Sequence, residues 1–284
     1  MAAPLLSVES LLNVKDKVVL VTGAGTGIGK MLAAGYVQNG AKVYIASRKQ
    51  KVIEETAAEL NAMGPGHCIP LVADLITKAA CDQLAGEIKK REKKLHVLVN
   101  NAGVSWGAPL DEYPEKQGWD NLFALNVKSI FYLTVACLPL LEAGANGNVD
   151  PARVINVSSV NGVTVGGGDN PLADTSKGNV IISYHASKAA ANHLTRVLAA
   201  HLAKHYVTVN CIAPGLFPSR MTAFGFKTAG DKMVAGQVMG RAGETTDMAG
   251  LGLFLGSKAS AHITGAVIPI DGGTSLGTSS YARL

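Results

Sequence analysis

Lys17-Val-Val-Leu-Val-Thr-Gly-Ala-Gly-Thr-Gly-Ile-Gly29 is the stretch that decides how this chain of 284 residues folds. Lys17 to Val21 has the short apolar pattern of a strand buried on both faces. A glycine-rich turn follows, and then a helical pattern from Lys30 to Asn39. Strand, glycine turn and helix in succession make a phosphate cradle, because glycines let the backbone approach a pyrophosphate and helix N–H groups point at it. Gly-x-Gly-x-x-Gly is not met, since Ile28 takes the last position. Gly-x-x-x-Gly-x-Gly is met by Gly23, Gly27 and Gly29, with Thr26 and Ile28 between them. A purely structural tight turn is the competing reading.

Outward from this stretch, strands and helices alternate. Lys42 to Ala46 reads as a second strand whose end meets the ribose of a dinucleotide. NAD-selective folds place Asp or Glu there. This chain has Ser47-Arg48-Lys49, and an arginine able to clamp a 2′-phosphate favours NADPH. A helix over 51–63 leads to the strand His67 to Ala73, which ends at Asp74-Leu75, where a carboxylate can accept from an adenine amino group. A helix over 79–94 precedes the strand Leu95 to Val99. Asn101, Ala102 and Gly103 follow it and permit close approach of a flat ligand. The spacing predicts a long apolar helix over 118–143, containing Asn126 as a helix-bending core residue or a holder of a water chain. Arg153 to Val157 is a fifth strand ending at Ser158-Ser159, and Val207 to Ile212 is a sixth. A short helix over 246–255 and a last strand from Ala266 to Ile270 complete the pattern. It implies an α/β fold, a Rossmann-type doubly wound parallel sheet in a single domain, with its crevice at the strands' carboxyl ends.

The chemistry is expected at Ser183-Tyr-His-Ala-Ser-Lys188. Tyr184 and Lys188 are four apart and share one helix face. A phenol near pKa ~10 releases its proton poorly at neutral pH, and a neighbouring lysine cation is expected to lower that value. Taken alone, the pair is also what a solvated helix surface shows.

With 48% hydrophobic residues the chain can bury a large core. No apolar run of bilayer-spanning length and no leader pattern is read, so a soluble, non-secreted protein is expected. Cys68, Cys81, Cys137 and Cys211 are far apart and read as free thiols. No metal site is expected: His201 and His205 alone have ligand spacing, and they read as solvated surface without an acidic partner. The basic run Lys89, Lys90, Arg91, Lys93 and Lys94 lacks interleaved aromatics and reads as a solvated face, with no nucleic-acid partner. Residues 1–14 read as an arm, 15–275 as the domain with a lid at 216–240, and 276–284 as a tail.

The glycine turn, Asn-Asn-Ala-Gly103, Ser158-Ser159, Tyr184-x-x-x-Lys188 and Pro214-Gly215 occur in the order found in the short-chain dehydrogenase/reductase family, which the chain resembles from about Lys15 to Gly273. It is most similar there to 3-oxoacyl and rhamnolipid-type reductases. The resemblance implies a catalytic set of Asn126, Ser159, Tyr184 and Lys188. Tyr184 would protonate the carbonyl oxygen as hydride arrives, and Ser159 would hydrogen-bond that oxygen. Lys188 would bind the nicotinamide ribose and lower the tyrosine pKa, and Asn126 would support a relay water. Pro214, Gly215, Phe217 and Ser219 match the segment holding the nicotinamide. Ser159 and Tyr184 are 25 residues apart (184 − 159), farther than in most relatives. The extra residues in 163–179 are expected to form a loop that walls the substrate crevice.

These features imply an NADPH-dependent reductase of a ketone, or of a 3-oxoacyl group as an acyl thioester, reversible to alcohol oxidation. Alternatives are an NAD-linked alcohol or polyol dehydrogenase and a non-catalytic dinucleotide sensor. The resemblance also implies a homotetramer built through the long helices. Ala282-Arg283-Leu284 is similar to the peroxisomal Ser-Lys-Leu address, so a eukaryotic source would imply the peroxisome and a bacterial one the cytoplasm.

Overall fold

A computed structural model describes residues 6–165, 172, 174–235 and 237–276. Its centre is a seven-stranded, wholly parallel sheet in the order β3-β2-β1-β4-β5-β6-β7. The strands are β1 (Val18–Thr22), β2 (Lys42–Ser47), β3 (His67–Val72), β4 (Val97–Asn100), β5 (Ala152–Val157), β6 (Val207–Pro214) and β7 (Val267–Ile270). The order reverses between β1 and β4, so the ligand crevice of a doubly wound sheet falls beyond their carboxyl ends. The glycine turn, Asn101 and Ser159 all follow strands at that end.

Alternation along each strand divides the core in two. Leu20, Leu98, Val154 and Val209 pack on one face with α4 (Lys78–Arg91), α5 (Glu115–Gly144) and α6 (Ile182–Leu202). Val19, Val21, Val97, Ile155 and Ile212 pack on the other with α2 (Gly27–Gln38), α3 (Gln50–Asn61) and α8 (Thr245–Gly256). Each fully buried aliphatic side chain contributes roughly 1.5–3 kcal/mol, which is why strands covered on both faces need unbroken apolar runs. A short helix α1 (Val8–Leu11) buries none of its residues. Val14 is already in the core, at 1% exposure, so attachment to the body begins inside the expected arm.

Several expectations are corrected. Helix α2 begins at Gly27 rather than Lys30, so the last glycines of the turn are its first residues. Helix α5 runs from Glu115 and contains two wide π turns, Glu115–Asp120 and Ala124–Lys128. At 30 residues it is long and apolar enough to cross a membrane, contrary to the reading of the sequence, but Leu122, Leu133, Thr134, Cys137 and Leu141 are buried in the protein. The 216–240 stretch contains a helix, α7 (Ala223–Ala235). His205 does have an acidic partner, Glu142, on the neighbouring helix. All four cysteines are free and buried. Residues 166–171 and 173 of the expected loop, and the Ala-Arg-Leu ending, lie outside the described residues.

A chain of buried polar groups crosses the core. Asn100 Nδ2 donates to Thr134 Oγ1 at 3.1 Å and to Asn156 Oδ1 at 2.9 Å. Asn156 Nδ2 donates to Thr195 Oγ1 at 2.9 Å. Each unpaired member would cost about 1–3 kcal/mol, and together they join β4 and β5 to helices α5 and α6. At the opposite end of the sheet, buried Arg153 binds Asp150 and the Ser257 carbonyl. Lys17 is 3.5 Å from Asp150, and its pKa falls to about 8 through burial and the nearby Arg153 charge.

Candidate active site

The glycine turn is built to receive an anion. Gly23 and Gly27 have φ of +65° and +58°, a region that side-chain-bearing residues rarely adopt. The N-cap of α2, Thr26, makes no side-chain capping bond, and the first turn carries no acidic residue. The orphan N–H groups of this helix start are therefore left for an anionic ligand. Neighbouring elements hold the turn in place. Thr22 Oγ1 accepts from the Asn101 and Ala102 amides, each at 3.0 Å, and Asn101 Nδ2 donates to the Thr22 carbonyl at 2.9 Å. Thr56 of α3 donates to the Gly25 carbonyl at 2.8 Å. From the far end of the chain, Ser219 lies so close that a Cβ on Gly27 would be 2.9 Å from its own Cβ.

Ser47 ends β2 beside this turn, its Oγ 3.4 Å from where a Cβ on Gly25 would sit. Arg48 and Asp74 follow the ends of adjacent strands, both well exposed, with the guanidinium 4.0 Å from the carboxylate. The expectation of a ribose end without a carboxylate therefore needs correction: none is next to Arg48 in sequence, but the fold brings Asp74. Leu75 is 4% exposed with its side chain in the core, so only its backbone is available to a ligand. Phe217 likewise packs in the core, against Gly243. Pro214 closes β6, and Gly215 sits against Asp271, where a Cβ would be 2.7 Å from that residue's Cα. Ile28 packs partly buried against the core, and Ala102 is partly buried beneath the crevice.

The four residues expected to carry the chemistry converge. Tyr184 and Lys188 are fully buried on one face of α6. Lys188 Nζ is 5.5 Å from the Tyr184 ring centroid and donates to the Val157 carbonyl at 3.0 Å. Ser159 lies close enough to Tyr184 to draw its pKa down against burial and accepts from Asn161 N at 3.2 Å, while Ser158 donates to the Lys188 carbonyl at 3.0 Å. The choice between the two serines therefore falls on Ser159. Gly103 lies between Asn126 and Lys188: a Cβ there would be 3.2 Å from Asn126 Oδ1 and 3.5 Å from Lys188 Nζ.

One electrostatic expectation changes. Burial pushes the Tyr184 phenol up to about 12, against which the Ser159 hydrogen bond acts weakly. The lysine was expected to lower it, but removal from water sets the direction, and Lys188 is not among the groups that lower it. Burial also pushes Lys188 down to about 8. Asn126 lies in the second π turn of α5, a kind of distortion frequent at functional sites. Its amide accepts from Val104 N at 2.9 Å and donates to Val104 O at 2.8 Å and Ser187 Oγ at 3.1 Å. It thus fastens the segment after β4 to α6.

Thr22 was missed as a support of the site, and the bond between Tyr113 and Ser183, 2.9 Å apart, has no sign in the sequence. A threonine at a strand's end before glycine could have been suspected as a backbone acceptor. Nothing local marks Tyr113 or Ser183. A cavity of about 360 Å³ lies beyond the segment after β6 and is lined by residues that include Leu216, Phe217, Met239, Arg241, Asp271 and Gly272. It includes none of the four converging residues, so chemistry, not volume, locates the site.

The chain is similar to known proteins over most of its length. The sequence model for short chain dehydrogenase matches residues 17–229. A rhamnolipids biosynthesis 3-oxoacyl-[acyl-carrier-protein] reductase of Pseudomonas aeruginosa is 41% identical over 269 residues, covering 93% of this chain and 98% of that protein. The short-chain dehydrogenase/reductase PhomF of Diaporthe leptostromiformis is 35% identical over 300 residues, 98% of each chain. The solved complex of Pseudomonas aeruginosa RhlG with NADP superposes with a TM-score of 0.85 at 39% identity, covering 93% of this chain and 98% of that one.

Proposed function

The chain belongs to the short-chain dehydrogenase/reductase family, a family of oxidoreductases, and from that premise we propose that it reduces a ketone or 3-oxoacyl group with NADPH, using Tyr184 as the acid. The observation that carries the reading is the buried Tyr184 with the Lys188 ammonium 5.5 Å from its ring centre and buried Ser159 close by. The uncapped helix start at Thr26 and the glycine backbone fit a pyrophosphate, and Arg48 fits a 2′-phosphate. NADPH, when bound, supplies the hydride. Gly23, Thr26, Gly27 and Gly29 would hold its phosphates, Ser47 and Arg48 its adenosine end, and Asn101 to Gly103 with Ser219 its opposite end. An NADP complex of a 39% identical structure and a 3-oxoacyl reductase at 41% identity support the cofactor and the substrate class.

The roles follow from the geometry. A phenol held up to about 12 is protonated throughout the neutral range, as a proton donor to a carbonyl oxygen must be. Ser159, close to that hydroxyl just beyond the end of β5, would hydrogen-bond the same oxygen. Lys188 places a cation beside the ring in a site closed to bulk water, where charge acts strongly. It stabilises the phenolate left after transfer. Asn126 keeps Val104 against α6 and so shapes the floor of the site, where it would also support a relay water.

The test is NADPH oxidation against a panel of ketones and 3-oxoacyl thioesters. Turnover of at least one class that is lost in Tyr184→Phe supports the reading; cofactor binding without turnover of any would replace it with a dinucleotide sensor. Exposed Phe131 and Val135 on α5 and Val197 on α6 support assembly as a homotetramer through these helices, and a monomer mass by light scattering would refute it. In a eukaryotic cell the Ala282-Arg283-Leu284 ending would direct the enzyme to peroxisomes. A fluorescent fusion with a free C-terminus that stayed in the cytosol would remove that proposal.

A further inference from the structure

We propose that Tyr113 is a positioning residue for Tyr184, acting through Ser183; the inference rests on the reductase reading of the site. Tyr113 lies between β4 and α5. Its ring sits over Gly118, where a Cβ would be 2.6 Å from ring carbon Cε1, and meets Trp119 edge-on with centroids 6.3 Å apart. The Tyr113 hydroxyl carries one proton, and the Trp106 carbonyl, 2.9 Å away, can only accept it. Ser183 Oγ, also 2.9 Å from that hydroxyl, therefore donates to the Tyr113 oxygen. The bond has a fixed direction, from Ser183 to Tyr113 to Trp106.

Ser183 is fully buried and immediately precedes Tyr184. Both stand in the first turn of α6, and this turn is poorly secured by its own sequence. The N-cap is Ile181, which makes no side-chain capping bond, and no acidic residue follows it. An aliphatic N-cap lacks the oxygen with which serine or aspartate accepts from the first-turn amides, and uncapped ends fray. Yet this is the turn that must hold a proton donor in place. The tether supplies what the cap does not. Beside the Tyr113–Ser183 bond, Ala108 and Val180 exchange two backbone bonds, at 3.2 and 2.9 Å. Leu122, Ile181 and Tyr184 pack together beneath, with Val104, Phe123 and Leu172 against them. The segment after β4 and the start of α6 are thus joined as one body, and the partly exposed Trp106 is fixed in the same body.

Tyr113→Phe keeps the ring contacts and removes both hydroxyl bonds; Ser183→Ala removes the same link from the other side. Each is expected to lower kcat on the order of tenfold, as small displacements of a reacting group do, and to leave the NADPH dissociation constant unchanged, since the glycine turn is remote from the tether. The double variant is expected to be no slower than the slower single, because one link is cut once. Amide hydrogen exchange over 181–185 is expected to quicken in both variants. An unchanged kcat, losses that multiply in the double variant, or exchange identical to the parent protein would each overturn the proposal. Exchange needs no substrate, so it tests the tether even if Tyr184→Phe retained turnover, a result that would overturn the reductase reading instead.

Discussion

Lys188 holds its ammonium 5.5 Å from the centre of the Tyr184 ring while donating its hydrogen bond elsewhere, to the Val157 carbonyl 3.0 Å away. The cation is anchored by the strand that delivers Ser159, not by the tyrosine. It therefore stays in place whether the phenol is protonated or not, and the tyrosine hydroxyl is left to Ser159 and to a substrate.

Replacing Tyr184 with Phe removes the proton donor and little else, because the ring still fills its place against Leu122 and Ile181. Turnover should fall roughly 10²–10⁴-fold, the usual contribution of a positioned acid. NADPH binding, followed by fluorescence titration, should be retained. Near-full rate in this variant would show that the proton comes from another group.

The pH profile should report the lysine rather than the tyrosine. Lys188 is lowered to about 8, so it is charged below that pH and neutral above it, whereas Tyr184 at about 12 stays protonated across the range. The kcat/KM for NADPH, which reports the free enzyme, should be level near neutrality and fall with a midpoint near 8. Lys17 has a similar value at the far end of the sheet, so Lys17→Met should leave the midpoint where it is. A profile level to pH 10 would remove the role given to the Lys188 charge.

Lys188→Met should inactivate the enzyme and yet make the fold more stable. A lysine lowered from 10.5 to about 8 is a cation that the folded state holds less readily than the unfolded chain. At about 1.4 kcal/mol per unit this costs about 3 kcal/mol, against about 1 kcal/mol for the Val157 carbonyl left unpaired. The penalty is full below pH 8, shrinks between 8 and 10.5, and vanishes above. The variant's Tm should accordingly exceed the parent's by a few degrees at pH 7, lose that advantage between pH 8 and 10.5 and fall slightly below the parent's above it. A lower Tm at pH 7 would mean that the buried ammonium is net stabilising.

Arg48→Ser should weaken NADPH binding about 10–100-fold, the worth of charge-assisted bonds to a phosphate, and leave NADH binding nearly unchanged. Asp74 stands 4.0 Å from Arg48 with both side chains more than half exposed, so their pairing is worth at most about 1 kcal/mol. Asp74→Asn should therefore strengthen NADPH binding only a few-fold. Calorimetric titration with both cofactors separates the two effects, and equal loss for NADH and NADPH in Arg48→Ser would discard the 2′-phosphate role.

Thr22→Val keeps the shape of a buried strand end but strips the acceptor from two amides, Asn101 and Ala102. Two orphaned donors should cost about 2–4 kcal/mol in urea unfolding. Cofactor affinity should fall with it, because the same bonds hold the glycine turn against the end of β4. Loss of stability with full affinity would show that the turn holds its shape without Thr22.

Much of this was legible in local pattern. The run from Val18 to Thr22, the glycines after it and the alternation of strands and helices determine a doubly wound sheet, because burial on both faces demands apolar strands and a tight βα turn demands glycine. Tyr184 and Lys188 were legible as one face of a helix, since helical period alone puts them there. The crowding of motifs at strand carboxyl ends located the site.

Other features depend on which distant groups meet, and no local period encodes that. Asp74 reaches Arg48, and Ser219 reaches Gly27, only because β2 and β3 are neighbours and the chain after β6 folds over the glycine turn. The tether from Tyr113 to Ser183 spans 70 positions. The sign of the Tyr184 shift was likewise undecided by sequence: Lys188 at four residues' distance argues for a lower pKa, and burial against Leu122 and Ile181 argues for a higher one. Desolvation is set by everything packed around a group, so the residue proposed as the acid could be picked out from sequence, while the direction of its pKa shift depends on the fold.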